Sequence, residues 1–157
     1  MAVLPILEEG AEVLRRRSKP VERVTRRVQR LIKDMLETMR HAEGVGLAAP
    51  QVGQLLRVIV LDVGEGPMAL VNPEVVAARG QETDLEGCLS VPGRVGYVSR
   101  PAEVTVKGLN ERGQPSEVKG KGLLARVLQH EIDHLDGILF IDRAEGVWEK
   151  KGTAEQA

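Results

Sequence analysis

Apolar side chains recur every three or four residues in two segments of the chain, which is the spacing of one face of a helix. The first segment covers residues 24–39, with Thr25 as a candidate N-cap and Gly44 as a C-terminal stop. The second covers residues 123–135 and ends before Gly137. We therefore predict two helices, the second of them buried.

Between these helices the apolar residues occur in short runs rich in Val, Ile and Leu, which favour β-strands. Residues 110–113 have the composition of a hairpin turn between two such runs. Two helices that bracket a run of antiparallel strands indicate an α+β fold rather than an alternating βαβ one. The predicted strands cover residues 57–63, 68–71, 74–78, 96–99, 103–109 and 116–119.

Residues 44–53, with the sequence GVGLAAPQVG, join the first helix to the strands. Three glycines and a proline exclude a helix interior, and the remaining small apolar residues are unlike those of a surface loop. Gln51 is the only side chain here that can both donate and accept hydrogen bonds. Two interpretations stay open, a backbone that lies against a ligand or a buried turn in which Gln51 satisfies backbone groups.

The overall composition is that of a single soluble domain of 157 residues, 42% hydrophobic and 29% charged. A net charge of −1 gives no general attraction to nucleic acid or membrane, and 2% aromatic residues argue against a base-stacking surface. Residues 1–40 hold ten Lys/Arg against six Asp/Glu. We interpret this basic segment as a solvated helix face, with contact to RNA as the alternative.

The cellular location is predicted from what the sequence lacks. No apolar run has membrane-spanning length, and the N-terminus lacks the pattern of a signal peptide. A single cysteine excludes an internal disulfide. We expect a cytoplasmic monomer with no membrane partner, because no long apolar stripe is left exposed.

The second helix contains the sequence HEIDH, an HExxH motif formed by His130, Glu131 and His134. Residues four apart lie on the same face of a helix, so both imidazoles can reach one metal ion. Glu131 lies beside them as a proton acceptor. The alternative is a pair of satisfied core histidines without a metal.

A catalytic metal site commonly uses three protein ligands and leaves one position for water. Metallopeptidases that complete HExxH with a downstream glutamate carry it on a second packed helix, but Glu145, Glu149 and Glu155 follow only a predicted short apolar strand and a polar tail. Cys88, the only cysteine, follows Gly87 between strand-like segments. A thiolate and two imidazoles suit tetrahedral Zn²⁺ or Fe²⁺, whereas the alternative is a cysteine buried in the core.

These residues predict a chemistry. A metal ion brings the pKa of a bound water toward neutrality, and Glu131 can take the water proton and pass it to a leaving amine. The Gln51 amide and the backbone N–H of Leu89 are candidate donors to the oxyanion that forms. The predicted reaction is amide hydrolysis.

Three motifs in one order resemble those of the peptide deformylase family. They are GVGLAAPQ at residues 44–51, EGCLS at residues 86–90 and HEIDH at residues 130–134, and the resemblance covers roughly residues 4–143. It implies an α+β fold with antiparallel strands packed around a central HExxH helix, preceded by an N-terminal helix. It also implies a catalytic domain over residues 1–143 and a short polar tail over 144–157, whose last eight residues we expect to fray.

The resemblance implies a substrate and a metal. The family removes the formyl group from N-formylmethionine at the start of nascent peptides and releases formate. Its members bind Fe²⁺ by preference, with Zn²⁺ or Ni²⁺ as substitutes, through residues that match Cys88, His130 and His134. The matching Glu131 is the general acid and base. Some members dock on the ribosome through an extended C-terminal helix, which the short tail lacks, so we expect any ribosome association to be transient.

The resemblance also implies how the substrate is held. Gln51 and Leu89 match the oxyanion hole of the family. Arg94 stands near the position of a substrate-binding arginine, although the family's arginine lies one residue further along, so its role is left open. Glu86 and Asp133 are candidates to orient the metal ligands. The residues expected to contact the substrate are Val45, Gly46, Gly87 and Arg94.

Two other functions stay open at this point. One is an HExxH metallopeptidase in which a downstream glutamate, rather than Cys88, is the third ligand. The other is a non-catalytic protein with a structural metal site, which needs a fourth protein ligand and gives Glu131 no role.

Overall fold

Residues 2–149, which the computed structural model describes, form the α+β arrangement that the sequence predicts. Short 3₁₀ turns cover Glu12–Arg15 and Ala49–Val52. The helices are α1 (Arg26–His41), α2 (Leu123–Leu135) and the one-turn α3 (Phe140–Arg143). The strands are β1 (Gly46–Ala48), β2 (Val58–Leu61), β3 (Met68–Arg79), β4 (Glu82–Cys88), β5 (Val91–Arg100), β6 (Glu103–Leu109), β7 (Pro115–Lys121) and β8 (Val147–Glu149).

The strands form two antiparallel sheets with α2 between them. The larger sheet has the order β1-β2-β3-β6-β7 and the smaller one the order β4-β5-β8. Successive residues of a strand face opposite sides of its sheet, so Val58 and Val60 of β2 pack with α1, and Ile59 and Leu61 pack with α2. On its other side α2 reaches the smaller sheet through polar side chains, of which Arg126 is one.

Helix α1 begins and ends close to the predicted residues. The Thr25 hydroxyl accepts a hydrogen bond from the backbone N–H of Val28 at 3.3 Å, as an N-cap does. The N–H of Gly44 donates to the carbonyl of Met39 at 3.0 Å and ends the helix. The interpretation of the basic N-terminal segment as a solvated face stays a prediction.

Helix α2 ends where a glycine is required. Gly137 has a φ of +77°, a backbone conformation that residues with a Cβ rarely adopt. A Cβ at this position would also lie 2.5 Å from the carbonyl oxygen of Arg15. The glycine therefore lets the N-terminal segment pass directly against the end of the helix that carries the HExxH motif.

The strand predictions differ from the structure at one irregular strand and at β1, β4 and β8, which are absent from the prediction. The strands predicted at residues 68–71 and 74–78 are parts of one strand, β3, whose pairing with β6 shifts register after Val71 and after Val75. Such irregularities break the alternation on which the prediction depends. Strand β4 is absent from the prediction because its first residues, 82–84, are polar and exposed.

The prediction of a short apolar strand after α2 is wrong, because these residues form α3. The Asp142 carboxylate accepts a hydrogen bond from the backbone N–H of Leu139 at 3.0 Å and begins this turn of helix.

Further along, β8 pairs with β5 inside the segment predicted as a polar tail. The domain boundary at residue 143 stays a prediction, and the frayed end predicted for residues 150–157 lies outside the described residues. None of the described helices is long and apolar enough to cross a membrane.

Candidate metal centre

Three predicted ligands meet between α2 and the smaller sheet. Cys88 is the last residue of β4, while His130 and His134 stand one helical turn apart on α2. One ligand atom from each lies within 4.8 Å of the other two, and all three residues are buried. The Cys88 Sγ and His134 Nε2 are 3.3 Å apart. Folding therefore joins residues more than forty positions apart in the chain into one donor set.

Two ring nitrogens of this cluster have no hydrogen-bond partner among residues 2–149. They are His130 Nε2 and His134 Nδ1. A buried polar atom without a partner costs about 1–3 kcal/mol, so such atoms call for an explanation. A cation ligated by the cluster would explain His130 Nε2, and a sulfur with two imidazole nitrogens is a donor set that Zn²⁺ and Fe²⁺ accept.

The electrostatics of the two rings also suit a cation. Burial lowers the pKa of His134 well below its ordinary value, so this ring is neutral, as a metal ligand must be. Burial acts the same way on His130, but the neighbouring Cys88 thiol and the hydrogen bond with Glu86 outweigh it and raise the pKa of His130. The space between the rings and the sulfur thus favours one positive charge, which a metal ion can supply.

Glu86 holds the first of these rings in place. Its Oε1 lies 2.9 Å from His130 Nδ1, and its carboxylate accepts hydrogen bonds from Arg100 at 2.6 and 2.9 Å and from Arg126 at 2.6 Å. Burial opposes the ionisation of Glu86, but the bonds from His130 and Arg100 outweigh it and hold its pKa far below the usual range. The resulting anion keeps the hydrogen of His130 on Nδ1 and leaves Nε2 free for a ligand.

Asp133 belongs to the same network through its contact with Arg100. Its carboxylate accepts from Arg100 Nη1 at 2.9 Å and from Arg143 at 2.6 and 2.9 Å. It therefore acts on His130 only through Arg100 and Glu86. The two buried arginines, Arg100 and Arg126, were missed by sequence reasoning, although a charged residue on the apolar face of α2 is a usable signal for the second.

Glu131 is the polar residue with the least hydrogen bonding in the site. It is fully buried, and neither carboxylate oxygen has a partner among residues 2–149. A Cβ at Gly46 would overlap Glu131 Oε2, so the glycine of β1 makes the room that this carboxylate occupies. Burial raises the pKa of Glu131 to about 7. A carboxyl group in this state can take and return a proton near neutral pH.

The fully buried Gln51 faces the same site from the 3₁₀ turn after β1. Its Nε2 lies 3.8 Å from Cys88 Sγ and donates to the Ser90 hydroxyl at 3.0 Å. Its Oε1 accepts the backbone N–H of Ala48 at 2.9 Å. The buried-turn interpretation therefore applies to Gln51, whose oxygen satisfies a backbone group while its nitrogen faces the cluster, and a backbone that lies against a ligand stays a prediction.

The remaining predicted residues lie around this centre at different depths. Leu89 follows Cys88, and its side chain packs so closely on Gly44 that a Cβ there would lie 2.6 Å from Leu89 Cδ1. Arg94 is partly exposed on β5 and forms an ion pair with Glu9. The substrate contacts expected of Val45, Gly46, Gly87 and Arg94 stay predictions.

No downstream glutamate joins the cluster within the part of the chain that the structure describes. The group of potential ligands consists of Cys88, His130 and His134, without Glu145 or Glu149. Glu155, the third alternative, lies outside the described residues. The geometry therefore favours the cysteine over a metallopeptidase ligand set.

Comparison with known proteins agrees with this geometry. Residues 3–150 match the family model described as polypeptide deformylase. The peptide deformylase of Pelotomaculum thermopropionicum is 56% identical over 147 residues, which cover 94% of this chain and 95% of that protein. That of Acetivibrio thermocellus is 57% identical over 143 residues, with 91% and 84% covered.

Solved structures agree as well. The crystal structure of the peptide deformylase from Thermotoga maritima superposes with a TM-score of 0.90 at 44% identity, covering 93% of this chain and all of that one. A Synechococcus elongatus peptide deformylase in complex with actinonin gives 0.89 at 44% identity, covering 93% and 81%. Fold, motif order and full-length similarity point the same way, and the chain belongs to the peptide deformylase family of hydrolases.

Proposed function

We propose that this chain removes the formyl group from N-formylmethionyl nascent peptides, with a metal ion held by Cys88, His130 and His134 and with Glu131 as the general acid and base. The observation that carries the proposal is the position of Glu131. This wholly buried carboxyl group without a hydrogen-bond partner among residues 2–149 stands next to a cluster of three metal-ligand atoms. The family membership supplies the substrate.

A divalent ion in this cluster would act as a Lewis acid and make water nucleophilic near neutral pH. The chain's own contribution begins with Glu131, which accepts the proton of the attacking water. It then delivers that proton to the nitrogen of the methionine amine as the bond from carbon to nitrogen breaks. A pKa of about 7 suits both halves of this task, since the group is neither a permanent anion nor a permanent acid.

The oxygen of the formyl group gains negative charge during the attack. The Nε2 hydrogens of Gln51 and the backbone N–H of Leu89 are the donors proposed for this oxygen. The position of Gln51 Nε2, 3.8 Å from Cys88 Sγ, supports this assignment. Because Gln51 is buried, its hydrogen bond acts where water does not screen it.

The substrate peptide would run along the backbone near this centre. Val45 and Gly46 of one sheet and Gly87 of the other are the proposed contacts, and Arg94 a further one at the rim. We expect Fe²⁺ as the physiological metal, with Zn²⁺ or Ni²⁺ as working substitutes. We further expect a cytoplasmic monomer that meets its substrate on nascent chains, without a membrane partner.

Anaerobic purification, metal analysis and a formate-release assay on formyl-Met-Ala-Ser test the proposal. We expect about one ion per chain and formate release with Fe²⁺, Ni²⁺ or Zn²⁺. The matched control is Cys88→Ala, which should lose both ion and activity while Glu131→Gln loses activity alone. Formate release by none of the three metal forms would contradict the proposal, as would cleavage of the Met-Ala bond instead.

A further inference from the structure

The Gln51 carboxamide is fixed by contacts at both of its ends. Its Oε1 accepts the Ala48 N–H at 2.9 Å, and its Nε2 donates to Ser90 Oγ at 3.0 Å. Gln51 and Ser90 are both fully buried. Bulk water is therefore excluded from these bonds, and each one restricts how the amide can turn.

These two contacts decide which way the amide points. The backbone N–H of Ala48 needs an acceptor, and only the oxygen of the carboxamide can be one. The oxygen is thereby placed away from the metal cluster. Of the two hydrogens on Nε2, the Ser90 hydroxyl takes one, which leaves the second on the side of Cys88 Sγ, 3.8 Å from the nitrogen.

The contact between Gln51 and Ser90 also joins the two sheets. Gln51 follows β1 of the larger sheet, and Ser90 follows β4 of the smaller one. The N-terminal segment spans the same gap, because the N–H of Leu7 donates to the Gln51 carbonyl at 2.8 Å and that of Glu9 to the Ser90 carbonyl at 2.7 Å. The backbone sets the distance between the two turns, and the hydroxyl sets the rotation of the amide.

We propose that Ser90 is a positioning residue, whose hydroxyl orients the Gln51 carboxamide so that one Nε2 hydrogen points into the metal centre. The inference rests on the proposed function, in which that hydrogen stabilises the developing oxyanion. Without the hydroxyl, the amide oxygen keeps its hydrogen bond to Ala48, but Nε2 loses the partner that limits rotation of the carboxamide. In this role the Ser90 hydroxyl acts through Gln51 and not on the reacting atoms themselves.

A double-mutant cycle tests this role through kinetics. Ser90→Ala should lower kcat about tenfold, the worth of one hydrogen bond, with KM changed less than about twofold. Gln51→Ala removes an oxyanion donor and should lower kcat about 10²-fold or more. If Ser90 acts through Gln51, adding Ser90→Ala to Gln51→Ala should cost nothing further.

The matched control is Ser18→Ala, which removes another buried hydroxyl, one without a hydrogen-bond partner among residues 2–149. It should leave kcat unchanged. A second readout is independent of activity. In ¹⁵N spectra, the side-chain amide of Gln51, identified as the signal that Gln51→Ala removes, should exchange with solvent faster in Ser90→Ala than in the wild type.

The outcomes separate this inference from the proposed function. Equal losses from Ser90→Ala in the wild-type and Gln51→Ala backgrounds would overturn the positioning role alone, as would an unchanged exchange rate of the amide. Wild-type kcat in Gln51→Ala would overturn the donor role of Gln51 and this inference together. Absence of formate release by the wild type would overturn the proposed function, and the amide exchange would still decide the role of Ser90.

Discussion

Glu86 and Glu131 are two buried carboxyl groups at one metal centre with opposite surroundings. Glu86 is 4% exposed and accepts hydrogen bonds from Arg100 and Arg126 beside its contact with His130, whereas Glu131 is 0% exposed and has no partner among residues 2–149. Burial raises the pKa of Glu131 to about 7, while the hydrogen bonds from His130 and Arg100 hold the pKa of Glu86 far below its usual range.

The difference shows that neighbours, rather than burial, decide what a buried carboxyl group does. A carboxylate surrounded by arginines is a permanent anion that can orient a ligand but cannot carry a proton. One without such partners is costly to the fold but free to exchange its proton. On the proposed function, the first belongs to the structure of the site and the second to its reaction, and four substitutions test this division.

The largest effect on activity is expected from Glu131→Gln. The amide has the same shape but cannot take a proton, so we expect kcat to fall about 10³-fold or more. Because the substitution removes a desolvated acid, the melting temperature should rise rather than fall. Formate-release kinetics and thermal unfolding measure the two effects on metal-loaded protein. A melting temperature that falls by several degrees would mean that Glu131 has a stabilising role that the structure does not account for.

Glu86→Gln should have the opposite effect and mainly lower the free energy of unfolding. It leaves the buried guanidinium group of Arg126 without its anion and that of Arg100 with Asp133 alone, which costs about 3–5 kcal/mol of unfolding free energy. Losing the group that orients His130 should also weaken metal binding about 10- to 100-fold. Denaturant unfolding and competition with a metal chelator measure these losses. A variant as stable as the wild type would contradict the assignment of Glu86 as a structural anion.

Gly46→Ala tests the space around Glu131 without replacing either carboxyl group. A Cβ at this position would overlap Glu131 Oε2 and also lie 2.9 Å from Val127 Cγ1, so the carboxyl group must move. A displacement of about 1 Å in a catalytic group can cost about 10²-fold in rate, and we expect that loss in kcat with the metal content unchanged. The control is Gly64→Ala, whose Cβ would meet nothing within 4 Å but whose φ of +103° strains the backbone, so it should lower stability and leave kcat unchanged. Full activity in Gly46→Ala would mean that Glu131 needs no fixed position.

Sequence reasoning reached the centre of the site and named Glu86 and Asp133 around it, but not the contacts that hold these groups in place. Cys88, His130 and His134 were predictable because metal chemistry limits the residue types and the HExxH spacing fixes two of them on one helix face. The contacts of Arg100 and Ser90 were not, since each depends on how a strand of the smaller sheet meets an element elsewhere in the chain. Contacts between segments that are distant in the chain leave no pattern in the local sequence.

The same limit explains what was missed in the fold. Helix α1 follows its apolar periodicity, and its Thr25 cap is local, so both could be predicted. Strand β4 could not be predicted in this way. Its polar first half is exposed, and only its pairing with β5 identifies it as a strand. The strand that carries Cys88 is thus one that its own sequence does not indicate.

The smallest effect is expected at a third carboxyl group, Glu103, which shares a bidentate ion pair with Arg79 on the surface of the larger sheet. The pair resembles that of Glu86 with Arg100 in geometry, and hydrogen bonding to Arg79 lowers the pKa of Glu103. Solvent screens the exposed pair and hydrates either partner when the other is removed. We therefore expect Glu103→Gln to leave the melting temperature and kcat unchanged within error, in the same assays as Glu86→Gln. A loss comparable to that of Glu86→Gln would show that bidentate geometry, rather than burial of the arginines, makes the inner carboxylate indispensable.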